Sequence, residues 1–355
     1  MIMKTEKICV CRHFMVALAA LLSCGATAKP QDMSLSYVSE WQATFDGKYQ
    51  WVNLLQADAS VPLYRGIGAE AGVISTCKTS QDALLPNLLT YSNIEEENIP
   101  LALTRLGISY GGEKFRIFAG VGNVNGEFFA TPLAALFTNS SCGIFPTISA
   151  NFSIANYPDA SLGVEGRYES RGFTANCAVY NGCGSHRFTG REGVFRFCPG
   201  SDGIFNINAV NYRKNDNNYN LGIGLHHGRH GSNEDAASES VSASALQKQT
   251  SVFWWAYAEQ KIWRGLSVMA QYSQCRGIGE GCRDFGGAGL VYDHDRYSIG
   301  LYSCYAGFTD EHEWAGELTF RYDVLSWLSL QPALHYIRNT TANGAVGLFR
   351  VNLTL

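Results

Sequence analysis

The chain has 355 residues, of which 16% are charged and 12% aromatic, with a formal net charge of −4. Soluble domains carry about 25% charged residues and disordered chains are poor in aromatics, so neither class fits well. No basic block is present, which argues against a nucleic-acid partner. A mean hydropathy of −0.08 at such low charge suits a membrane protein or an unusually apolar soluble one.

Lys4, Lys7 and Arg12 precede an apolar run from Phe14 to Leu22, and Ala26-Thr27-Ala28 follows as an A-x-A cleavage site. Residues 1–28 therefore read as a secretory signal peptide, too short for a spanning helix. A lipoprotein site at Leu21-Leu22-Ser23-Cys24 is the competing reading, and Leu before Ser fits it imperfectly. Residues 29–355 form the remaining domain. No later apolar stretch approaches the roughly 20 residues of a membrane helix. Eight cysteines lie beyond the signal, from Cys77 to Cys304, and export permits disulfides among them. Cys275 and Cys282 bracket a Gly-rich loop that they could staple. With no C-x-x-C and no paired Cys/His spacing, no zinc site and no cofactor is expected.

From there on, apolar and polar residues alternate with period 2 in segments of about ten residues. Sixteen candidate strands follow: 34–45, 49–60, 66–74, 102–110, 114–122, 160–168, 172–180, 204–213, 218–226, 251–263, 265–274, 285–292, 296–305, 314–323, 326–337 and 345–355. The first three are the weakest, and Leu54-Leu55 breaks the phase as a bulge would. Leu318, Phe320 and Tyr322 against Glu317, Thr319 and Arg321 show the alternation clearly. Such a strand has one apolar and one polar face, in a soluble sandwich or in a membrane barrel.

Two features favour the barrel. Short turns near 111–113, 169–171, 214–218, 264–265, 293–295 and 323–326 alternate with long connections near 77–100, 123–159, 181–203, 227–250 and 275–284. Tight periplasmic turns and longer external loops are the pattern of outer-membrane barrels. Aromatic pairs also flank five of the six short turns, as in Tyr110 and Phe115 or Tyr322 and Trp327. Amphipathic rings sit at the headgroup level of a bilayer. The expected fold is all-β, a transmembrane antiparallel barrel of about sixteen strands in the outer membrane of a Gram-negative bacterium, with both termini periplasmic. The insert at 123–159 is apolar for an external loop (Phe128, Phe129, Leu133, Leu136, Phe137, Ile144, Phe145), which places it inside the wall as the element that narrows the lumen.

That insert also carries a family likeness. Gly120-Val121-Gly122-Asn123-Val124-Asn125-Gly126-Glu127-Phe128-Phe129 resembles the Gly-, Asn- and Phe-containing stretch of the carbohydrate-selective porin (OprB) family. Leu136-Phe137-Thr138-Asn139-Ser140-Ser141-Cys142-Gly143-Ile144-Phe145-Pro146-Thr147-Ile148-Ser149-Ala150-Asn151 resembles its signature, and Tyr157-Pro158 and Leu162-Gly163-Val164 continue it in order. Weaker echoes lie at Ser92-Asn93-Ile94-Glu95 and Gln260-Lys261-Ile262-Trp263-Arg264. The resemblance runs from about residue 92 to the end. It implies a sixteen-stranded outer-membrane barrel through which sugars diffuse, with loops folded inward. The chain is shorter than typical members and ends in Leu355 where such barrels usually end in an aromatic.

A passive channel needs a bore, hydrogen-bonding groups and a field rather than a catalytic constellation. The polar phase of the strands offers Arg116, Glu165, Arg167, Glu317, Arg321 and Arg350 as lining charges, and Asn125 and Glu127 lie within the family-like motif. Mixed-sign rows of this kind also line any porin wall, paired with one another. The insert's phenylalanines could stack on sugar faces or simply anchor it. Trp254 and Trp255 fall on opposite faces of one strand, one toward lipid and one toward the lumen. His226, His227 and His230 look like a metal site, but adjacent strand residues point apart, so convergence is not expected. The expected partners are carbohydrate solutes and outer-membrane lipid, with a homotrimer by analogy to large porins. The alternatives are a non-selective pore, an adhesive surface barrel and, last, a barrel enzyme whose triad assembles across strands.

Overall fold

A computed structural model describes residues 32–228 and 248–355 apart from 81, 130 and 191. The signal segment, His230 and the stretch 231–247 lie outside the described residues.

Because successive strand side chains point to opposite faces, each alternating segment can turn its apolar side one way and its polar side the other. The strands are β1 (Asp32–Thr44), β2 (Tyr49–Tyr64), β3 (Ile67–Lys78), β4 (Ile99–Gly111), β5 (Phe115–Gly122), β6 (Ser161–Ser170), β7 (Phe173–Asn181), β8 (Ile204–Lys214), β9 (Asn217–Gly228), β10 (Gln249–Trp263), β11 (Leu266–Arg276), β12 (Cys282–His294), β13 (Tyr297–Phe308), β14 (His312–Leu325), β15 (Leu328–Arg338) and β16 (Asn343–Thr354). Each pairs antiparallel with its sequence neighbours, and β1 pairs with β16 to close the barrel. Leu35 and Leu355 exchange backbone hydrogen bonds at the seam. Closure leaves no unpaired strand edge, which hydrocarbon could not satisfy.

The outer face is apolar. Leu318 is 51% exposed while Glu317, next to it and turned inward, is 2% exposed. At the short-turn end Tyr110, Phe115, Tyr168, Phe173, Tyr322 and Trp327 are all exposed on this outer face, forming a belt of rings. Inside, residues from the insert (Phe128, Phe129, Phe137, Phe145, Ile148, Phe152) pack with inward residues of the wall (Phe205, Phe253, Trp255, Phe285, Tyr302) in one apolar cluster. At about 25 cal/mol per Å² of apolar area removed from water, several buried rings hold such a segment firmly.

A second segment, 79–98, also lies inside. Ile94 joins Val52, Leu54, Ile74, Ile99 and Ala102, and Tyr91 packs with Ile337 and Val346. This explains the phase break at Leu54-Leu55. No bulge lies there, since Leu54 pairs with Val38 and Leu55 with Tyr37 in unbroken register; the irregularity in β2 lies at Pro62–Tyr64 instead. Leu54 is apolar because Ile94 covers it from inside, and Leu55 because it faces outward.

The remaining expectations resolve by parity. Trp255 points inward, fully buried, and donates to Asn220 Oδ1 at 2.6 Å, while Trp254 is exposed on the outer face. His226 is buried inside, its Nε2 2.8 Å from the Gly182 carbonyl, and His227 points outward beside Thr250. Cys275 and Cys282 do not form the staple their spacing allowed: all eight described cysteines are free thiols. Asn151 secures that loop instead, donating to the Cys282 carbonyl and accepting its N–H, at 2.8 and 2.7 Å.

Candidate functional site

Four of the sequence-derived candidates meet on the inner face of β5 and β6. The register sets Arg116 directly opposite Arg167, and like charges facing one another across a strand pair are unfavourable. Glu127, carried in by the insert, resolves the conflict. It accepts from Arg116 Nη1 at 3.1 Å and from Arg167 Nη1 at 2.8 Å. Asn176 on β7 holds Glu127 in place by donating to its backbone carbonyl.

The chain of ion pairs extends to three residues outside the sequence-derived set, Arg105, Glu70 and Glu169. Arg105 on β4 donates through Nη1 and Nη2 to both oxygens of Glu165, at 3.1 and 2.9 Å, and through Nε to Glu70 on β3 at 2.6 Å. Glu70 also accepts from Arg116, and Arg167 pairs with Glu169 at 3.0 Å. Bidentate geometry is the strongest form of such contact. Glu165 is buried, so it needs its partners; the Tyr180 hydroxyl donates to it at 2.8 Å. The Arg105 guanidinium stacks 3.7 Å from the centre of the Phe118 ring, which fixes its plane. Gly122, at the start of the insert, leaves the room: a Cβ there would sit 2.6 Å from Glu165 Oε1. The result is a cleft lined by Arg116, Phe118, Glu127, Phe128, Glu165, Arg167 and Asn176.

Arg105 and Glu70 escaped the sequence reading for a physical reason. Arg105 keeps the inward phase of Gly107 and Ser109, but the register between β3 and β4 shifts just beyond it, at Gly72–Val73, which turns Leu103 outward and breaks the strand's pattern beside it. Glu70 sits in β3, whose pattern is diluted by Gly and Ala.

The other four candidates lie elsewhere. Glu317 on β14 accepts from the backbone N–H groups of Thr138 and Asn139, so it meets the insert's backbone. Arg350 on β16 pairs with Glu40 on β1 and donates to Asn93 Oδ1 at 2.6 Å. Glu40 also accepts from Ser92 Oγ at 2.7 Å, so this pair anchors the 79–98 segment. Asn125 accepts from the Tyr157 N–H at 2.8 Å, and the Tyr157 hydroxyl donates to the Ile94 carbonyl at 3.1 Å, which joins the two inward segments. Arg321 remains on the inner wall, half-exposed, 3.4 Å from Asp323. Among the described residues no group of three or more His, Cys, Asp or Glu side chains is placed to hold a metal.

An edgeless wall with a greasy exterior and charged groups within is how a porin crosses the outer membrane. The chain belongs to the carbohydrate-selective porin, OprB family, whose model matches residues 78–352. Among solved structures, Pseudomonas putida OprB at high pH shares 15% identity over 91% of this chain and 94% of its own, with a TM-score of 0.74. The same protein at low pH gives 14% identity, 91% and 92% coverage and a TM-score of 0.59. A loop L8 deletion mutant of Vibrio cholerae OmpT gives 12%, 91%, 98% and 0.60. These likenesses establish the fold, and the family establishes an outer-membrane carbohydrate porin. No curated protein matches the chain significantly in sequence.

Proposed function

We propose that sugars cross passively at the cleft between the 123–159 insert and the β3–β6 wall, and that the chain acts as a channel and not as an enzyme. The observation that carries this reading is the ion-pair chain, which sets three arginines against four glutamates. Opposite charges at such short range nearly cancel as seen from the bore, so neither small anions nor small cations gain strongly. A neutral polyol, in contrast, finds many donors and acceptors. Arg116 and Arg167 have side chains exposed by 33% and 38%, leaving N–H groups free to exchange water for sugar hydroxyls. Binding there must stay weak enough for release, and no energy coupling is required.

Single-channel conductance of the folded protein in a planar bilayer, titrated with a panel of sugars, tests the proposal. A current that falls in steps with one class of sugar is expected. Current indifferent to every sugar would leave a non-selective pore.

Residues 1–28 are proposed as a cleaved export signal, checked by the N-terminal sequence of the membrane-inserted protein. A homotrimer in outer-membrane lipid is proposed by analogy with other large porins. The mass of the detergent-solubilised protein tests it, and a monomer mass removes it.

A further inference from the structure

Past Gly184, whose N–H donates to the Ser153 carbonyl of the insert, the connection between β7 and β8 turns to the outside of the wall. Ser185 exchanges backbone hydrogen bonds with Ala160, at 2.9 and 3.1 Å. Val194, only 2% exposed, packs on Leu103, Val121 and Ala160, with Val73 and Leu162 beside them. These are outer-face positions: Val121 and Leu162 share strand parity with Ile117 and Val164, which are 48% and 53% exposed, and the register shift at Gly72–Val73 sets Leu103 opposite Val73, in phase with the 37% exposed Ile67. The segment 185–197 is therefore draped over the outside of β3–β6.

Its height follows from strand geometry. A strand rising about 3.3 Å per residue and tilted about 40° climbs roughly 2.5 Å per residue along the membrane normal. Val73, Leu103, Val121 and Leu162 stand six or seven residues from the short-turn end of their outer-face rows, at Ile67, Tyr110, Phe115 and Tyr168. That is about 15–18 Å up an apolar band about 25 Å tall. On the opposite side of the barrel the rows carry exposed rings near this level: Trp254, Tyr272, Trp314 and Tyr336. On β3–β6 the strands carry only aliphatic residues there. The draped segment, seated on those residues, exposes Phe188, Phe195 and Phe197 by 38%, 48% and 58%.

We propose that Phe188, Phe195 and Phe197 complete the upper aromatic belt and insert among the acyl chains of the outer-leaflet lipid, so that this connection is a lipid-anchoring collar. Continuity with the lipid-facing wall selects that occupant. Large rings projecting from a segment already seated on the membrane face meet hydrocarbon before they meet water, at the depth where rings are favoured. Arg187 and Glu192, whose side chains are about two-thirds exposed and 3.3 Å apart, give the segment a polar edge suited to the headgroup zone.

The test places the photoreactive residue p-benzoylphenylalanine at position 195 or 197 of the full chain, reconstituted in dioleoylphosphatidylcholine vesicles. Irradiation is expected to give a lipid adduct by mass, in yield at least several-fold above the same residue at Thr341, an exposed loop position. Crosslinking to a second copy of the chain would assign the segment to a subunit contact and overturn the proposal. A yield no higher than at Thr341 would place the rings in water and also overturn it. In the unmodified protein, hydroxyl radicals should oxidise Phe195 and Phe197 at least threefold less than Phe45, which is 82% exposed in a short turn. Equal oxidation would count against the collar without any variant being made.

Discussion

Glu317 on β14 accepts hydrogen bonds from the backbone N–H groups of Thr138 and Asn139, at 2.8 and 3.0 Å, across the interior of the barrel. The same device recurs around the wall. Glu313 accepts from Leu88 and Leu89, Glu259 from Leu133, and Gln331 and Gln271 donate to the carbonyls of Leu136 and Ser141. The inward segments have little secondary structure of their own, and buried backbone groups must be paired somewhere. Wall side chains do the pairing, which is why carboxylates and amides stand among the rings.

Replacing Glu317 with Ala orphans both N–H groups, and a buried donor left unpaired costs about 1–3 kcal/mol. Glu317→Ala should lower the temperature at which the barrel loses resistance to SDS and raise open-channel noise as the insert loosens. Glu317→Gln keeps one acceptor oxygen and should fall between it and the native protein. Equal melting and equal noise in all three would show that the rings alone hold the insert.

Arg167 is different in kind. Its removal leaves Glu127 still paired with Arg116, and exposed ion pairs are worth little, about 0–1 kcal/mol. Arg167→Gln should therefore fold normally while taking one positive charge from the cleft. The reversal potential in a salt gradient should move toward cation selectivity, and the sugar concentration giving half-block should rise several-fold. A shift toward anions would contradict the assignment of Arg167 to the bore.

Much of this architecture was legible in alternation, because a wall wet on one side and greasy on the other writes period 2 into every strand. The 123–159 insert stood out because Phe128, Phe129, Phe137 and Phe145 have no reason to sit in an exposed loop. The same argument applied to Leu84, Leu85, Leu88, Leu89 and Tyr91, yet the second inward segment went unread because it lies among the weak early strands. Arg105 stands in the inward phase of β4 with Gly107 and Ser109, beside the point where the register against β3 shifts and the alternation breaks at Leu103. The pairing of Glu127 with Arg116 and Arg167 depends on how the insert folds back, which spacing along one strand does not encode. Nor does sequence tell on which side of the wall a loop lies: the ring-rich stretches 128–145 and 188–197 look alike, and one packs inside while the other packs outside.

Gly300 offers a sharper probe of how closely the insert fits. It faces inward on β13, and a Cβ there would stand 2.7 Å from Phe137 Cε1 and 3.0 Å from Leu136 Cδ2. Overpacking a fitted site costs about 1–3 kcal/mol. Gly300→Ala should therefore lower the melting temperature and change conductance together, since Phe137 must move. Gly316, on the outer face with its nearest neighbour at 3.7 Å, is the matched control, and Gly316→Ala should change stability by no more than about 0.5 kcal/mol. Similar losses in both would mean that the strand backbone, not the contact with Phe137, is what resists substitution.

The long-loop end should respond to pH through one cluster. His186 Nδ1 lies 2.9 Å from Asp159 Oδ1 and its Nε2 lies 3.4 Å from Glu97 Oε1. The hydrogen bond to Asp159 raises the His186 pKa above its ordinary value, with burial opposing it, the charges of Asp159 and Glu97 adding to it and Arg187 working against it. Glu96 in the same cluster is pushed up to about 7 by burial, with Asp159, Glu97 and Glu95 adding to the rise and Lys78 opposing it. The signs agree. A histidine with a raised pKa stabilises fully below about 6.5 and loses that contribution as pH rises through its folded value. A carboxylic acid that keeps its proton to about 7 when folded, and ionises near 4.5 otherwise, loses stability as pH climbs between those values. Amide hydrogen exchange in 94–98 and 184–188, corrected for intrinsic rates, should show the strongest protection near pH 5 and a steady loss through pH 8. In His186→Gln the upper part of that loss should vanish, and in Glu96→Gln the lower part should. Protection that grew with pH would mean that ion pairs with Lys78 and Arg187, rather than the His186 and Glu96 protons, hold these connections together.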